Sequence, residues 1–387
     1  STDGIFLKEI IVEPVSSDTT KIVSRVSWQI DPLRTQKIEL TTLITNWKLE
    51  QATGGDTGGD PPFGDWQNPR TLGSVDLGPG NSATDIDVVN KIVFLSAEAS
   101  ASAKPDFFVV DATNGQSPFI VSSINTGPSL NALDAAGTHA YLANSDINAQ
   151  LQVADVANIA SPLLVASFKL PGVSGTGGIG HSIFYYNSRV YIGTKKATGP
   201  EFHIIDVSNP TSPISLGSRE IGYDVNFIHV NGTTAYIATS DDVQELKILD
   251  VSNPASISQI GFYNAPGSED AISVYFSESK LYLGRVDASA NELYILDVTS
   301  SSAPQLLGSQ DFSTDVTGVI ARDFLGFFGT TDSNKEFQVW NVSSSASLEF
   351  WSGFNFPQVA TGLDYEDNLV YVAVRSNDAL RIITSAP

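Results

Sequence analysis

The chain has 387 residues, is 41% hydrophobic and carries a formal net charge of −22. This negative charge repels nucleic-acid phosphates and anionic membrane surfaces, so neither is expected as a partner. The absence of cysteine excludes disulfides, thiol catalysis and zinc–thiolate sites.

Methionine is also absent, even at position 1, and no apolar run approaches the roughly 20 residues that span a bilayer. No signal peptide is present either. We therefore expect a processed chain whose signal peptide was removed, or whose membrane anchor lies outside this sequence. Direct membrane insertion by this chain is not expected.

Residues 1–50 form the first predicted element, an N-terminal β-rich arm. The segments KIVSRVSWQI from Lys21 and QKIELTTLITNWKL from Gln36 alternate apolar and polar residues like two antiparallel strands joined by DPLRT. The segment IFLKEIIVEP from Ile5 is a candidate third strand. The simplest interpretation is a small β-cap on the domain that follows.

Residues 51–68 form the second element, which is rich in glycine, proline and aspartate. This composition is typical of a flexible linker. Two large aromatic residues, Phe63 and Trp66, are expected to anchor its end to the following domain because such side chains are rarely left in water.

Residues 69–387 contain two repeating signals that recur in phase, every 43 to 51 residues. The first is an apolar strand ending in an acidic or polar anchor, as in FHIIDVSNPTSP, with anchors at Asp111, Asp155, Asp206, Asp250, Asp297 and Asn341. The second is a turn followed by an aromatic residue, at Phe94, Tyr141, Tyr191, Tyr236, Tyr282, Phe327 and Tyr371. Each unit contains four short strand patterns, which predicts an all-β, seven-bladed β-propeller.

The two ends of this region predict how the ring closes. The last repeat stops after LRIITSAP and lacks a fourth strand, while PRTLGSVDL from Pro69 matches the fourth-strand segment PISLGSR from Pro213. We predict that Thr71 to Asp76 supply the outermost strand of the seventh blade. Such closure leaves no open edge between the first and last blades.

The stretches FHIIDVSNPTSP and LYILDVTSSSAP resemble the LVIVD repeat, a family of secreted or surface-exposed bacterial and archaeal propellers. The resemblance covers about Pro69 to Pro387 and implies an extracellular or cell-surface location. Within the arm, KIVSRVSWQ followed by KIELTTLITNW is similar to the β-region of pilin-like and pseudopilin-like proteins. That second resemblance implies a propeller presented on an envelope anchor or a filament.

Aligning the repeats on the aromatic residue reveals candidate site residues. Ten positions before it, a polar set is predicted at one mouth of the central channel, comprising Thr84, Asn131, His181, Asn226, Thr317 and Thr361. Twelve positions before it, three successive blades carry Asp224, Asp270 and Asp315. These carboxylates either bind a hard cation such as calcium or cap turns.

A further polar set precedes the third strand of six units, at Asp106, Gln150, Glu201, Glu245, Glu292 and Glu336. We expect these side chains to be exposed and to make that face acidic, either for solvation and edge protection or to recognise a basic or polyhydroxylated partner. The aspartate of the DVSNP segments is expected to cap a turn.

No catalytic residue is predicted, since the histidines and serines fit no metal or nucleophile motif. No cofactor is predicted apart from calcium at the aspartate set. The leading hypothesis is a non-enzymatic extracellular binding or adhesion protein with a protein or glycan ligand at the propeller face. The alternatives are a filament subunit that self-assembles through the arm, and a cation-assisted lyase or hydrolase, which would need a unique acid–base pair.

Overall fold

The computed structural model describes residues 6–14, 19–31, 34–45 and 62–386, except 100, 102 and 288. The chain divides into two compact units, Ser1–Gln51 and Ala52–Pro387. The first contains a three-stranded antiparallel sheet with the order β1 (Phe6–Pro14), β2 (Thr19–Asp31) and β3 (Arg34–Thr45). These are the three segments that the alternating pattern predicts as strands.

The second unit contains seven four-stranded antiparallel sheets, as expected for seven blades. The first six blades each take four consecutive strands: β5–β8 (Asn81–Val89, Ile92–Ala99, Phe107–Asp111, Phe119–Ile124), β9–β12 (Leu130–Ala136, His139–Asn144, Leu151–Asp155, Leu163–Phe168), β13–β16 (Gly180–Tyr186, Arg189–Thr194, Phe202–Asp206, Ile214–Arg219), β17–β20 (Val225–Asn231, Thr234–Thr239, Leu246–Asp250, Ser258–Tyr263), β21–β24 (Ala271–Ser277, Lys280–Arg285, Leu293–Asp297, Gln305–Gln310) and β25–β28 (Val316–Arg322, Leu325–Thr330, Phe337–Asn341, Glu349–Phe354).

The seventh blade confirms the predicted closure. It combines β29 (Ala360–Glu366), β30 (Leu369–Val374) and β31 (Asp378–Ala386) with β4 (Asp65–Asp76) from the opposite end of the unit. The first strand of every blade contacts the first strand of the next, and β29 contacts β5. The seven blades therefore form a closed ring around a central axis.

The strand β4 begins at Asp65, so the last four residues of the predicted linker, 65–68, belong to the seventh blade. Trp66 is almost completely buried, and its Nε1 donates a hydrogen bond to Asn368 Oδ1 at 3.3 Å. Its ring also meets Phe327 edge-on at 4.8 Å between ring centroids. Trp66 thus anchors this segment, whereas the Phe63 side chain is 65% exposed.

The hydrophobic core lies between blades rather than inside any one of them. One cluster joins Phe327 and Phe337 of blade 6 with Tyr365 and Ile383 of blade 7. Each sheet has two apolar faces, so it needs a neighbour on both sides, and this explains why the repeat must close on itself. Among the described residues, no helix is long and apolar enough to cross a membrane.

Glycine in the outermost strand allows close packing between blades. A Cβ on Gly217 would lie 1.8 Å from the carbonyl oxygen of Pro254 in the next blade. At the ring closure, a Cβ on Gly73 would lie 2.2 Å from the carbonyl oxygen of Gly115 in blade 1. The LGS sequence that β4 shares with β16 and β24 therefore reflects one packing requirement.

The two ends of the blades differ in how regular their connections are. At the end that we call the turn face, every first and second strand are joined by two residues: 90–91, 137–138, 187–188, 232–233, 278–279, 323–324 and 367–368. Third and fourth strands are joined there by segments of equal length: 112–118, 156–162, 207–213, 251–257, 298–304 and 342–348. The predicted turn-capping aspartates are confirmed here, as in Asp206, whose Oδ1 accepts the Ser208 amide at 2.8 Å.

Because neighbouring strands are antiparallel, all remaining connections lie at the opposite end, which we call the loop face. These connections vary in length. Between blades they range from residues 77–80 to 169–179, and within blades from 375–377 to 195–201. The loop face is thus the variable end of a regular scaffold.

Candidate functional site

The polar residues predicted at the channel mouth belong to a closed ring of hydrogen bonds between blades. In each blade, a side chain near the start of the first strand donates to a backbone carbonyl of the next blade, at 2.5 to 3.1 Å. The seven pairs are Thr84 to Leu130, Asn131 to Gly180, Ser182 to Val225, Asn226 to Ala271, Ser273 to Val316, Thr317 to Ala360 and Thr361 to Ala83.

Five of the six predicted mouth residues take part in this ring, so their role is to join blades. In blades 3 and 5 the aligned position holds His181 and Ile272, and the following residue, Ser182 or Ser273, donates instead. The alignment on a single position missed these two serines because the donor had moved by one residue.

His181 is the predicted mouth residue that does not donate in this ring. Its Nδ1 atom is buried without a hydrogen-bond partner. Burial and then the charge of Lys195 lower its pKa to about 4, against the opposing charge of Asp224 and a hydrogen bond with Asn226. The imidazole is therefore neutral at neutral pH.

Two of the three predicted cation ligands cap loops of the preceding blade. Asp224 Oδ1 accepts the Lys196 amide at 2.7 Å, and Asp315 Oδ1 accepts the Asp287 amide at 2.8 Å. Burial, followed by the nearby charges of Asp224 and Asp242, raises the pKa of Asp270. Within residues 62–386, as described, no group of three or more His, Asp or Glu side chains is arranged to hold a metal ion. Cation binding stays a prediction, and the structure provides a capping role for two of its residues.

The acidic and amide residues before the third strands are buried, so the prediction that they form an exposed acidic face is wrong. All six are at most 4% exposed. Each accepts the backbone amide twenty residues further on, in the connection to the next blade: Asp106 from Thr126, Gln150 from Leu170, Glu201 from Ile221, Glu245 from Ala265, Glu292 from Phe312 and Glu336 from Phe356. They hold the loop-face connections in place because those amides have no strand partner.

Three buried aspartates on neighbouring first strands were not predicted. Asp364 accepts the Val88 amide of blade 1 at 2.6 Å, Asp87 the Ala135 amide of blade 2, and Asp134 the Tyr185 amide of blade 3. They occupy the position seven residues before the aromatic residue. The other four blades have Phe184, His229, Tyr275 and Ile320 there.

These aspartates also contact one another. Burial, followed by the charge of Asp134, raises the pKa of Asp87 well above its usual value, and Asp87 hydrogen-bonds to Asp364. Burial is likewise the main cause that raises the pKa of Asp134, which hydrogen-bonds to Asp87. Two carboxyl groups bond directly only when one is protonated, which agrees with the raised pKa values in this row of three aspartates.

An open depression of about 580 Å³ lies on the loop face between blades 5 and 6. We call it the blade 5–6 groove, and its lining residues are Asp287, Phe312, Ser313, Thr314, Thr331, Asp332, Ser333 and Lys335. They come from three connections: the one between blades 5 and 6, and one loop within each blade.

The predicted residue Asp315 lies in the framework of this groove. Its carboxylate holds the Asp287 loop, and its own amide donates to Thr331 Oγ1 at 3.0 Å. Thr314 Oγ1 and Thr331 Oγ1 are 2.9 Å apart and also hydrogen-bonded. All three connections are thereby tied together, so the groove is formed before any ligand binds.

Comparisons with known proteins support the propeller assignment. Residues 189–219 and 223–265, in blades 3 and 4, match the model of the LVIVD repeat. The chain therefore carries LVIVD repeats on a seven-bladed β-propeller. No curated protein matches it.

Solved structures resemble the chain in fold at low sequence identity. A chain of the mitotic checkpoint complex is 14% identical with a TM-score of 0.60, covering 81% of this chain and 93% of that chain. The WD40 β-propeller domain of Doa1 is 11% identical with a TM-score of 0.61, covering 84% and 98%. A quinoprotein alcohol dehydrogenase-like protein from Bacteroides thetaiotaomicron is 13% identical with a TM-score of 0.50, covering 90% and 95%. These likenesses concern the fold alone.

Proposed function

We propose that the protein is a non-enzymatic binding or adhesion protein, located outside the cell or at the cell surface, that recognises its ligand with the loop face. The observation that carries this proposal is the blade 5–6 groove on the variable end of a rigid ring. Binding residues concentrate on variable loops that a regular scaffold positions. The uniform connections of the turn face offer no comparable variety.

The groove is held in one shape without a ligand. It is an open depression of about 580 Å³ lined mainly by polar side chains, unlike the enclosed and mainly apolar pockets that take most small molecules. Asp315, Thr314 and Thr331 fix its walls through hydrogen bonds that need no ligand. Little ordering is then required on binding, which favours affinity.

The structural roles of the buried acidic side chains support the non-enzymatic part of the proposal. Asp87 and Asp134, whose pKa values are raised, accept amides of neighbouring blades. Glu245 and Glu292 accept loop amides in the same way. A structural role therefore accounts for groups that would otherwise be candidates for acid–base catalysis.

A pair of matched substitutions tests the location of the binding face. Ser333→Trp fills the exposed groove, and Ser344→Trp places the same side chain on an exposed turn-face position of the same blade. Binding of the full chain is measured on arrays of glycans and of peptides. Loss of binding by Ser333→Trp alone supports the loop face. Equal binding by both variants, or no binding on either array, contradicts it.

A filament subunit is the second candidate, favoured by the separate N-terminal unit. Its sheet has β1 and β3 at its two edges, and an exposed edge strand can pair with a strand of another chain. Deleting residues 1–60 then abolishes assembly, measured by sedimentation and electron microscopy, while the propeller stays folded. Filaments formed by the truncated protein would refute this candidate.

A further inference from the structure

We propose that the blade 5–6 groove binds a neutral polyhydroxylated ligand, in chemical terms an oligosaccharide. This inference rests on the proposed function and names the ligand class of the same site. It follows from three features of the groove: its mixture of donors and acceptors, the arrangement of its charged groups, and an exposed aromatic ring at its outer side.

The lining combines both kinds of hydrogen-bonding group at close quarters. The carboxylates of Asp287 and Asp332 accept hydrogen bonds, and the Lys335 ammonium donates them. Four hydroxyl side chains that do both line the remainder of the groove: Ser313, Thr314, Thr331 and Ser333. Sugar hydroxyls are themselves both donors and acceptors, so a carbohydrate can satisfy such a surface.

The charges of the groove disfavour anionic ligands. An anionic ligand would be repelled by Asp287 and Asp332. Lys335 lies beside Asp332 and offsets part of the attraction of the groove for a cation. A neutral polyol meets no repulsion and still gains hydrogen bonds to charged groups, which are stronger than those between neutral groups.

The charged pair at the groove is held in a defined arrangement. Asp332 Oδ1 accepts the Asn334 amide at 2.8 Å, and Lys335 Nζ lies 3.7 Å from the other oxygen, Oδ2. The Lys335 amide donates to the Asp332 carbonyl at 3.1 Å, which closes the loop on itself. A carboxylate and an ammonium at this spacing can contact neighbouring hydroxyls of one sugar ring.

An aromatic surface continues the groove on its outer side. Lys335 Nζ lies 5.1 Å from the centroid of the Phe350 ring, which is 42% exposed. Trp340 meets Phe350 edge-on at 5.4 Å and Phe312 at 4.9 Å between centroids. The buried Phe312 lines the groove itself. The apolar C–H face of a sugar can pack on Phe350 while its hydroxyls face the groove.

Titration of the full chain with defined probes tests the ligand class. The probes are neutral oligosaccharides, an oligolysine peptide and a sulfated polysaccharide. We expect a neutral oligosaccharide to bind and Asp287→Ala to weaken it roughly tenfold or more, because a hydrogen bond to a charged group is lost. Phe350→Ala weakens it less, and Ser344→Trp leaves it within about twofold, the ordinary additivity error for distant sites. Thermal unfolding shows that each variant is folded.

The remaining outcomes distinguish a wrong ligand class from a wrong binding site. If only oligolysine or the sulfated polysaccharide binds, and Ser333→Trp abolishes that binding, the groove is a binding site but the ligand class is wrong. If an oligosaccharide binds equally to Ser333→Trp and Ser344→Trp, the site is wrong. If none of the probes binds at millimolar concentration, the oligosaccharide proposal is overturned.

Discussion

The hydroxyl of Thr361 in the last blade donates a hydrogen bond to the carbonyl oxygen of Ala83 in the first blade, at 3.1 Å. This contact joins residues from nearly opposite ends of the propeller unit and completes the ring of seven bonds between blades. The corresponding hydrogen bond is present at each of the remaining blade junctions. On the inner side of the ring, the junction between the last and first blades is therefore built like the other junctions. On the outer side, β4 completes the last blade.

Thr361→Val tests the contribution of this ring to stability. Valine keeps the shape but removes the hydroxyl, so we expect the free energy of unfolding to fall by about 1 to 2 kcal/mol. Denaturant unfolding measures the change. The control is Thr233→Val at an exposed turn. Equal effects of the two substitutions would show that the bond to Ala83 contributes nothing specific.

The aspartate row predicts that raising the pH destabilises the protein. The pKa values of Asp87 and Asp134 are raised by burial, so the folded state holds protons that the unfolded state releases above about pH 4. Their contribution is present in full below that pH and is lost as the pH rises through the folded-state pKa values.

Asp134→Asn removes one titrating group of the row and supplies an N–H donor in place of its shared proton. We expect the variant to lose less stability than the unmodified protein between pH 4 and pH 8. Denaturant midpoints across this range measure the difference. Asp242→Asn, at an exposed loop position, is the matched control. Parallel pH profiles for all three proteins would refute the proton-holding row.

For buried His203 we expect the opposite pH dependence, a loss of stability at acid pH. It is fully buried, its Nε2 lies 2.8 Å from the Pro200 carbonyl oxygen, and burial lowers its pKa to about 4. The unfolded state therefore binds a proton that the folded state rejects between about pH 6.5 and 4. Stability from this group is present above pH 6.5 and is lost as the pH falls through this window.

His203→Gln should reduce this acid-side loss without disrupting the blade. The positions equivalent to His203 in blades 2 and 6 hold Gln152 and Gln338, so a blade accepts glutamine there. Denaturant midpoints at pH 4 and pH 7 measure the effect. An unchanged difference between the two midpoints would count against the neutral buried histidine.

Asp315 distinguishes turn capping from cation binding. Asparagine keeps an oxygen that accepts the Asp287 amide, whereas alanine does not, so we expect Asp315→Ala to cost about 1 kcal/mol of stability and Asp315→Asn much less. Both variants would also be measured with calcium and with a chelator. If both variants lose the same amount of stability, and this loss depends on calcium, the cation role is favoured instead.

The sequence predicts the ring well because the aromatic and acidic signals recur once per blade, and because β4 shares its LGS pattern with β16 and β24. It fails at Glu245 and its equivalents, since polar residues at strand starts usually face water. Their amide partners lie twenty residues away, in connections whose course only the fold reveals.

Two further features, the aspartate row and the blade 5–6 groove, were not predicted from the sequence. Asp87, Asp134 and Asp364 share one aligned position, so comparing that position would have detected them, but their mutual contacts depend on ring closure. The blade 5–6 groove combines three connections from two blades, and no sequence motif marks it. Asp315 was found as a candidate residue without its neighbour Asp287.

The most direct test is a crystal structure of the full chain grown with a neutral oligosaccharide. We predict density for a sugar ring in contact with Asp287, Asp332 and Lys335, next to Phe350. Density for the sugar on the turn face, or an empty groove when the ligand is bound elsewhere, would contradict the account.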